Sequence, residues 1–220
     1  MLFFLVQWFC SYAKGLLVGG SVYSLGQHMD YTISKNSLDN LKTKNPELYA
    51  DGQDAIVLNL VIISPILYMF VDQLVLDHQT SFSFIKCSGL LLLQNIGYFF
   101  AHREMHQNKS LYWIHHFHHL YEKDLIIPSI ANAVSVYEFL FAYASPIVLG
   151  GYLLHVNEYE FAAAIEIISI FNLIIHTYEL YDRKWVPGMV SPHKHIDHHR
   201  IRDKHYSAPI FDLDPCSTNY

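Results

Sequence analysis

Histidine is the residue type whose distribution points most directly to chemistry in this chain. The sequence contains fifteen histidines, and eleven of them fall in two windows, residues 102–119 and 193–205. Neutral imidazole is a common protein ligand for transition metals, and each ring must be held in a fixed orientation by its neighbours. Two such dense windows predict metal binding.

The spacing of these histidines gives three motifs of helical period: HxxxH at 102–106, HxxHH at 115–119 and HxxHH at 195–199. Positions i, i+3 and i+4 share one face of a helix, so His116 is predicted to point away. Another histidine ends an apolar segment at position 176. Together these are too many ligands for one ion with open positions, but they suit two ions. The predicted metal ligands are His102, His106, His115, His118, His119, His176, His195, His198 and His199.

Apolar segments must position these motifs. Residues 55–76, 84–101, 134–154 and 160–176 are each about long enough to cross ~30 Å of hydrocarbon. Short connections join them into two hairpins, and a polar, histidine-rich segment follows each hairpin. Ser64-Pro65 predicts a kink in the first segment, which neighbouring helices can accommodate.

Composition agrees with a membrane protein. Apolar residues make up 52% of the chain and charged residues only 15%, whereas soluble domains have about 25% charged residues. The net charge of −6 argues against nucleic acid as a partner. Cys10, Cys87 and Cys216 form no CxxC pair, so neither a disulfide framework nor a thiolate metal site is predicted.

The basic residues predict the orientation. Twelve of the fourteen lysines and arginines lie in 28–54, 102–133 and 177–220, and none lies in the two short turns. The positive-inside rule therefore makes these three segments cytosolic, and both histidine windows face the same side. The predicted fold is an all-α membrane protein with about four transmembrane helices in two hairpins and a cytosolic, helical, histidine-rich cap.

The chain is predicted to divide at residue 54. Residues 1–54 would contain a retained membrane-contacting helix over 2–20, preferred to a cleaved signal peptide, and then a polar segment of loop or short surface helices. Residues 55–220 would form the domain that carries the histidine motifs.

Residues from about 84 to 211 resemble the fatty acid hydroxylase/sterol desaturase superfamily. Its members carry HxxxH, HxxHH and a second HxxHH in this order around a transmembrane hairpin, and the stretch His176-Thr177-Tyr178-Glu179 also resembles theirs. This chain departs from the family at Asn172, where some members have a further histidine. It also departs in residues 208–214, which replace the usual ending.

This resemblance implies two iron ions that activate O2, although isolated protein could contain zinc. It also implies a reductase or cytochrome as electron donor and a location in the endoplasmic reticulum membrane. The substrate would be a lipid that is hydroxylated or desaturated. His102-Arg103 and the stretch from His176 are more similar to the sterol branch, so a sterol is favoured over a fatty acid or sphingoid base.

Carboxylates near the motifs are candidates for holding the imidazoles in orientation. Glu104, Asp197 and Glu179 are predicted to do so. Polar residues inside the predicted spans are costly and usually face the interior of the bundle or a cavity. On this ground Glu166, Asn172 and Glu138 are predicted to line a substrate tunnel or to pair with another helix, and Asn172 and Glu166 are predicted to act in catalysis.

Two other functions are compatible with the same motifs. The chain could be a transport or metal-handling membrane protein that binds zinc, although a transporter would place ionisable residues at mid-membrane in paired repeats. It could also be an inactive member of the family whose metals are structural only.

Overall fold

The computed structural model describes residues 2–214, in which helices are joined by short turns and no β-strand occurs. The helices are α1 (Leu2–Thr32), α2 (Lys35–Lys44), α3 (Pro46–Leu74), α4 (Phe84–Gln107), α5 (Val136–Leu154), α6 (Glu158–Ile175) and α7 (Pro192–Ile201). Single helical turns lie at Tyr112–His115, His118–Leu120, Lys123–Leu125, Pro128–Asn132 and Tyr178–Leu180. The predicted all-α fold is confirmed.

Three helices, α3, α4 and α5, are long and apolar enough to cross a membrane, which supports an integral membrane protein. The predicted fourth span is not confirmed. Helix α6 does form there, but it carries Glu158, Glu160 and Glu166 within eighteen residues. Helix α3 begins at Pro46 and so runs through the predicted boundary at residue 54, while α2 accounts for the short surface helix predicted before it.

Helices α3 and α5 share an irregularity. In each, a six-residue π-helical segment, Leu58–Ile63 or Phe139–Ala144, immediately precedes a Ser-Pro pair. Proline has no N–H to donate and its ring collides with the carbonyl four residues earlier, so the helix must widen or bend nearby. The predicted disturbance at Pro65 is confirmed, and Pro146 causes a second one.

Glycines let other helices approach these two sites closely. A Cβ on Gly19 of α1 would lie 2.0 Å from the carbonyl oxygen of Leu60, inside the first π segment. A Cβ on Gly97 of α4 would lie 2.6 Å from Cβ of Pro146. The long helix α1 therefore packs directly on α3, and α4 packs directly on α5.

The two hairpin turns meet at one end of the bundle. The backbone N–H of Asp77 donates to the carbonyl of Val156 at 2.8 Å. Glu160 accepts from the backbone N–H groups of Ser83, at 2.7 Å, and of Asn157, at 2.9 Å. The histidine motifs follow the opposite ends of α4 and α6, so both windows lie at the other end of the bundle.

Candidate metal centre

All nine predicted ligands meet in two groups. The five-histidine group contains His102, His106, His115, His119 and His198. The four-histidine group contains His118, His176, His195 and His199. Within each group the potential ligand atoms lie within 4.8 Å of one another, and every ring is buried except that of His106, which is half-buried. Each group could hold a metal ion.

Each HxxHH motif divides its histidines between the groups. In the second motif the i, i+4 pair belongs to the five-histidine group and the i+3 histidine, His118, to the other. The third motif reverses this, since His198 joins the five-histidine group. Successive helical residues are about 100° apart, so i+3 and i+4 lie on opposite sides of residue i. One motif can therefore reach two adjacent ions.

The rings of both groups point the same nitrogen inward. Every hydrogen-bond-range contact between two of these imidazole rings joins Nε2 to Nε2. In the five-histidine group the Nε2 atoms of His102 and His115 are 2.9 Å apart. In the four-histidine group those of His176 and His195 are also 2.9 Å apart.

The outward nitrogens explain this orientation. Nδ1 of five rings lies 2.7–3.3 Å from a backbone carbonyl oxygen, and Nδ1 of His115 lies 2.7 Å from a carboxylate oxygen of Glu138. The carbonyls belong to Tyr206, His199, Asn172, Lys204 and Tyr121. Because a carbonyl only accepts, each of these Nδ1 atoms carries the hydrogen, and the neutral ring turns a lone pair inward on Nε2.

The protonation chemistry agrees with this orientation. Burial lowers the pKa of His176 to about 4. Burial first, and neighbouring imidazoles second, lower the pKa well below the usual range for His115, His118, His119, His195, His198 and His199. Neutral rings with converging lone pairs repel one another unless a cation lies between them. The donor set therefore fits two imidazole-liganded metal ions.

Glu138 is the carboxylate that holds an imidazole. It is fully buried at the start of α5 and is the only carboxylate within residues 2–214 that contacts a ring of either group. Sequence proximity does not reveal this contact, because Glu138 and His115 are 23 residues apart. The signal available beforehand was a charged residue at the beginning of an apolar helix.

The three carboxylates predicted for this role lie elsewhere. Glu104 is exposed on α4 and its side chain contacts no imidazole. Asp197 accepts from the Tyr181 hydroxyl at 3.0 Å and pairs with surface groups of α7. Glu179 accepts from the hydroxyls of Ser34 and Ser37, which tie it to the junction of α1 and α2. In this structure none of the three contacts a ring of either group, because closeness in sequence does not determine where Nδ1 points.

The side chains of Asn172 and Glu166, the residues predicted to act in catalysis, bond to neighbouring elements. The backbone carbonyl of Asn172 accepts from Nδ1 of His176 at 2.7 Å. The side-chain amide nitrogen of Asn172 donates to the backbone carbonyl of Ala131 at 3.3 Å. Glu166 accepts from the hydroxyl of Ser21 on α1, which is the predicted alternative of pairing with another helix. Neither side chain contacts a ring of the two groups.

A cavity lies between α1, α3, α4, α5 and α6. Most of the side chains that line it are apolar. Phe139, next to Glu138 in the chain, and Tyr143 are among the residues that line it. The Tyr143 ring packs on Tyr98, which packs on His102, each pair with centroids 5.2 Å apart. Two aromatic rings, those of Tyr143 and Tyr98, therefore lie between the cavity and His102 of the five-histidine group.

The remaining predictions near the site have clear outcomes. His116 is exposed, as its position in the motif predicts. Cys10 and Cys87 are free thiols, and Cys216 lies outside the described residues. The carbonyls of Lys204 and Tyr206, which hold His198 and His102, could not be predicted, because any residue type supplies a carbonyl.

Comparison with known proteins gives one match. The family model described as fatty acid hydroxylase matches residues 87–214, which include both histidine windows. No curated protein and no solved structure matches the chain significantly.

Proposed function

Because the chain belongs to the fatty acid hydroxylase family, we propose that it is an O2-dependent membrane oxidoreductase that hydroxylates or desaturates a lipid. The observation that carries this proposal is the convergence of nine neutral imidazoles, each turning Nε2 inward, next to an apolar cavity. Metal-bound imidazoles leave positions open for O2, and an apolar cavity suits the alkyl part of a lipid.

The five-histidine and four-histidine groups would each hold one iron ion. Bound iron would supply the oxidising power needed to break an unactivated C–H bond. Imidazole also binds zinc well, so the isolated protein can contain zinc in the same positions. The chain's own work is to hold the rings through Nδ1, with Glu138 fixing His115 and with backbone carbonyls fixing five others.

The overall reaction defines the partners. Hydroxylation converts R–H, O2, two electrons and two protons into R–OH and water. Desaturation takes the same inputs, removes two hydrogens from the lipid and releases two waters. Both need two electrons from outside the substrate, so we propose a reductase or cytochrome as the donor. The basic segments favour a cytosolic position for the histidine groups in the endoplasmic reticulum membrane.

Exclusion of water is the second task of the protein. A strongly oxidising site must be shielded from solvent, and the rings of both groups are buried apart from that of His106. The cavity would receive the apolar body of the lipid and orient one carbon toward the histidines. A sterol is the preferred substrate, on the motif resemblance at His102-Arg103 and His176–Glu179, with fatty acids and sphingoid bases next.

The proposal is tested by metal content and lipid profile. Chains with His118→Ala and, as a matched control, His116→Ala would be expressed in membranes beside the wild type. We expect about two iron ions per wild-type chain, an oxidised lipid that disappears with His118→Ala, and little change with His116→Ala, whose ring is exposed.

Other outcomes would contradict the proposal. A purified wild-type chain without metal would refute the site. Bound metal with identical lipids in wild type and His118→Ala would support a family member whose metals are structural. Metal carried across vesicle membranes would support the transport alternative.

A further inference from the structure

The cavity contains an amide group that has no protein acceptor. Gln94 of α4 lines the cavity and is only 2% exposed. Its side-chain oxygen accepts from the Asn95 amide at 3.3 Å, while its nitrogen donates to no described residue. A largely buried amide donor that lacks a protein partner favours a ligand oxygen or a water molecule that can accept from it.

The neighbouring hydrogen bonds fix which end of this amide is the nitrogen. The side-chain oxygen of Asn95 accepts from the backbone N–H groups of Ile210, at 3.0 Å, and Phe211, at 3.2 Å. Two N–H donors require an oxygen there, so the Asn95 nitrogen must face Leu91 and Gln94. That nitrogen in turn requires the Gln94 oxygen, which leaves the Gln94 NH2 group for the cavity.

The apolar surroundings make this donor selective. Leu60, Leu67 and Ile147 are among the side chains that line the same space. A hydrocarbon in the cavity would leave the Gln94 donor unpaired, whereas a lipid oxygen would satisfy it. A site with a buried hydrogen-bonding group discriminates against ligands that lack the matching group.

We propose that Gln94 is a specificity-determining residue that donates a hydrogen bond to a hydroxyl or carbonyl oxygen of the bound lipid. This inference rests on the proposed function and narrows its substrate to a lipid with an oxygen in its membrane-embedded part. Gln94 precedes His102 by eight residues on α4, which is roughly 12 Å along the helix axis. The lipid oxygen would thus lie roughly 12 Å from the carbon presented to the histidines.

Binding to the metal-free protein tests the donor without requiring activity. The probes are two matched pairs of lipids, cholesterol with the hydrocarbon that lacks its hydroxyl, and octadecanol with octadecane. Metal is removed with a chelator, and binding is measured in detergent by native mass spectrometry. We expect wild type to prefer the hydroxyl-bearing member of at least one pair by about three- to tenfold, the range of one net hydrogen bond.

The variant Gln94→Met keeps the length of the side chain but removes the donor, and it should abolish the preference. The control Gln73→Met makes the same substitution at a glutamine that does not line the cavity and bonds Ser11, and it should keep the preference. A preference that survives in Gln94→Met, or is absent in wild type, would overturn the inference.

A measurement on wild type covers the case in which Gln94→Met does not fold. The oxidised carbon of the product should lie roughly 12 Å from the lipid oxygen, and a product modified beside that oxygen would count against Gln94. The two proposals fail separately. Selective binding without any lipid oxidation would contradict the enzymatic function only, whereas oxidation of unsubstituted hydrocarbon lipids would contradict the role of Gln94 only.

Discussion

Replacing Glu138 with glutamine should weaken one metal site and leave the other unchanged. Glu138 lies 2.7 Å from Nδ1 of His115, and both side chains are fully buried. Glutamine can still offer an oxygen to this nitrogen, but without the negative charge that makes the imidazole a stronger ligand. Among residues 2–214 no carboxylate contacts the four-histidine group, so this group provides an internal reference.

The expected loss of metal affinity follows from the strength of the hydrogen bond between Glu138 and His115. A bond to a charged group contributes about 1.5–3 kcal/mol, and a neutral one about 0.5–1.5 kcal/mol. The difference of about 1–2 kcal/mol corresponds to a roughly 5- to 30-fold loss of metal affinity.

Cobalt titration of metal-free protein, in competition with a chelator, measures this loss. Wild type should have two sites, and Glu138→Gln should have one site of unchanged affinity and one weakened by that factor. Glu104→Gln is the control, because Glu104 is exposed on the helix that carries His102 and His106. Equal weakening of both sites, or an equal effect of Glu104→Gln, would refute the assignment of Glu138 to the five-histidine group.

Three further results are expected. Gly52→Ala should destabilise the protein by about 1–3 kcal/mol in thermal unfolding, because the added Cβ would lie 2.2 Å from the Tyr121 hydroxyl oxygen. The control Gly20→Ala should not destabilise the protein, because a Cβ there has no atom within 4 Å. His118→Ala should lower the metal content by about one ion per chain, measured by elemental analysis, while His116→Ala should leave it unchanged. Metal-free protein should lose stability as pH falls from about 6.5 to 4 in denaturation assays. The unfolded chain takes up protons there that the buried histidines, with their lowered pKa values, do not.

The members of the five-histidine and four-histidine groups could be predicted from sequence because the spacing of histidines along a helix is local information. In a helical segment the spacings HxxxH and HxxHH determine which rings lie on the same side. The nine predicted residues are those that meet. How each HxxHH motif divides between two groups is not local, because it depends on the neighbouring helix. The orienting groups were predicted poorly for the same reason, since Glu138 comes from a distant element and the other acceptors are backbone carbonyls.

The fold was predictable to a similar extent. Long apolar runs identified α3, α4 and α5, and Ser64-Pro65 indicated an irregularity in α3. Composition alone does not decide whether α6 crosses the membrane. Its acidic residues argue against a crossing, but charges inside a span are tolerated where neighbouring helices pair with them. Glu166 has such a partner in Ser21, and no sequence pattern links two residues that are 145 positions apart.

The division of each HxxHH motif has a consequence for biosynthesis. The five-histidine group needs His102 and His198, and the four-histidine group needs His118 and His199, so each joins an early and a late part of the chain. Neither group can be complete until α7, which carries His198 and His199, has left the ribosome and the preceding helices have been inserted. Neither site can therefore have its full ligand set before α7 has been synthesised, and a nascent chain stalled before α7 would have two incomplete sites.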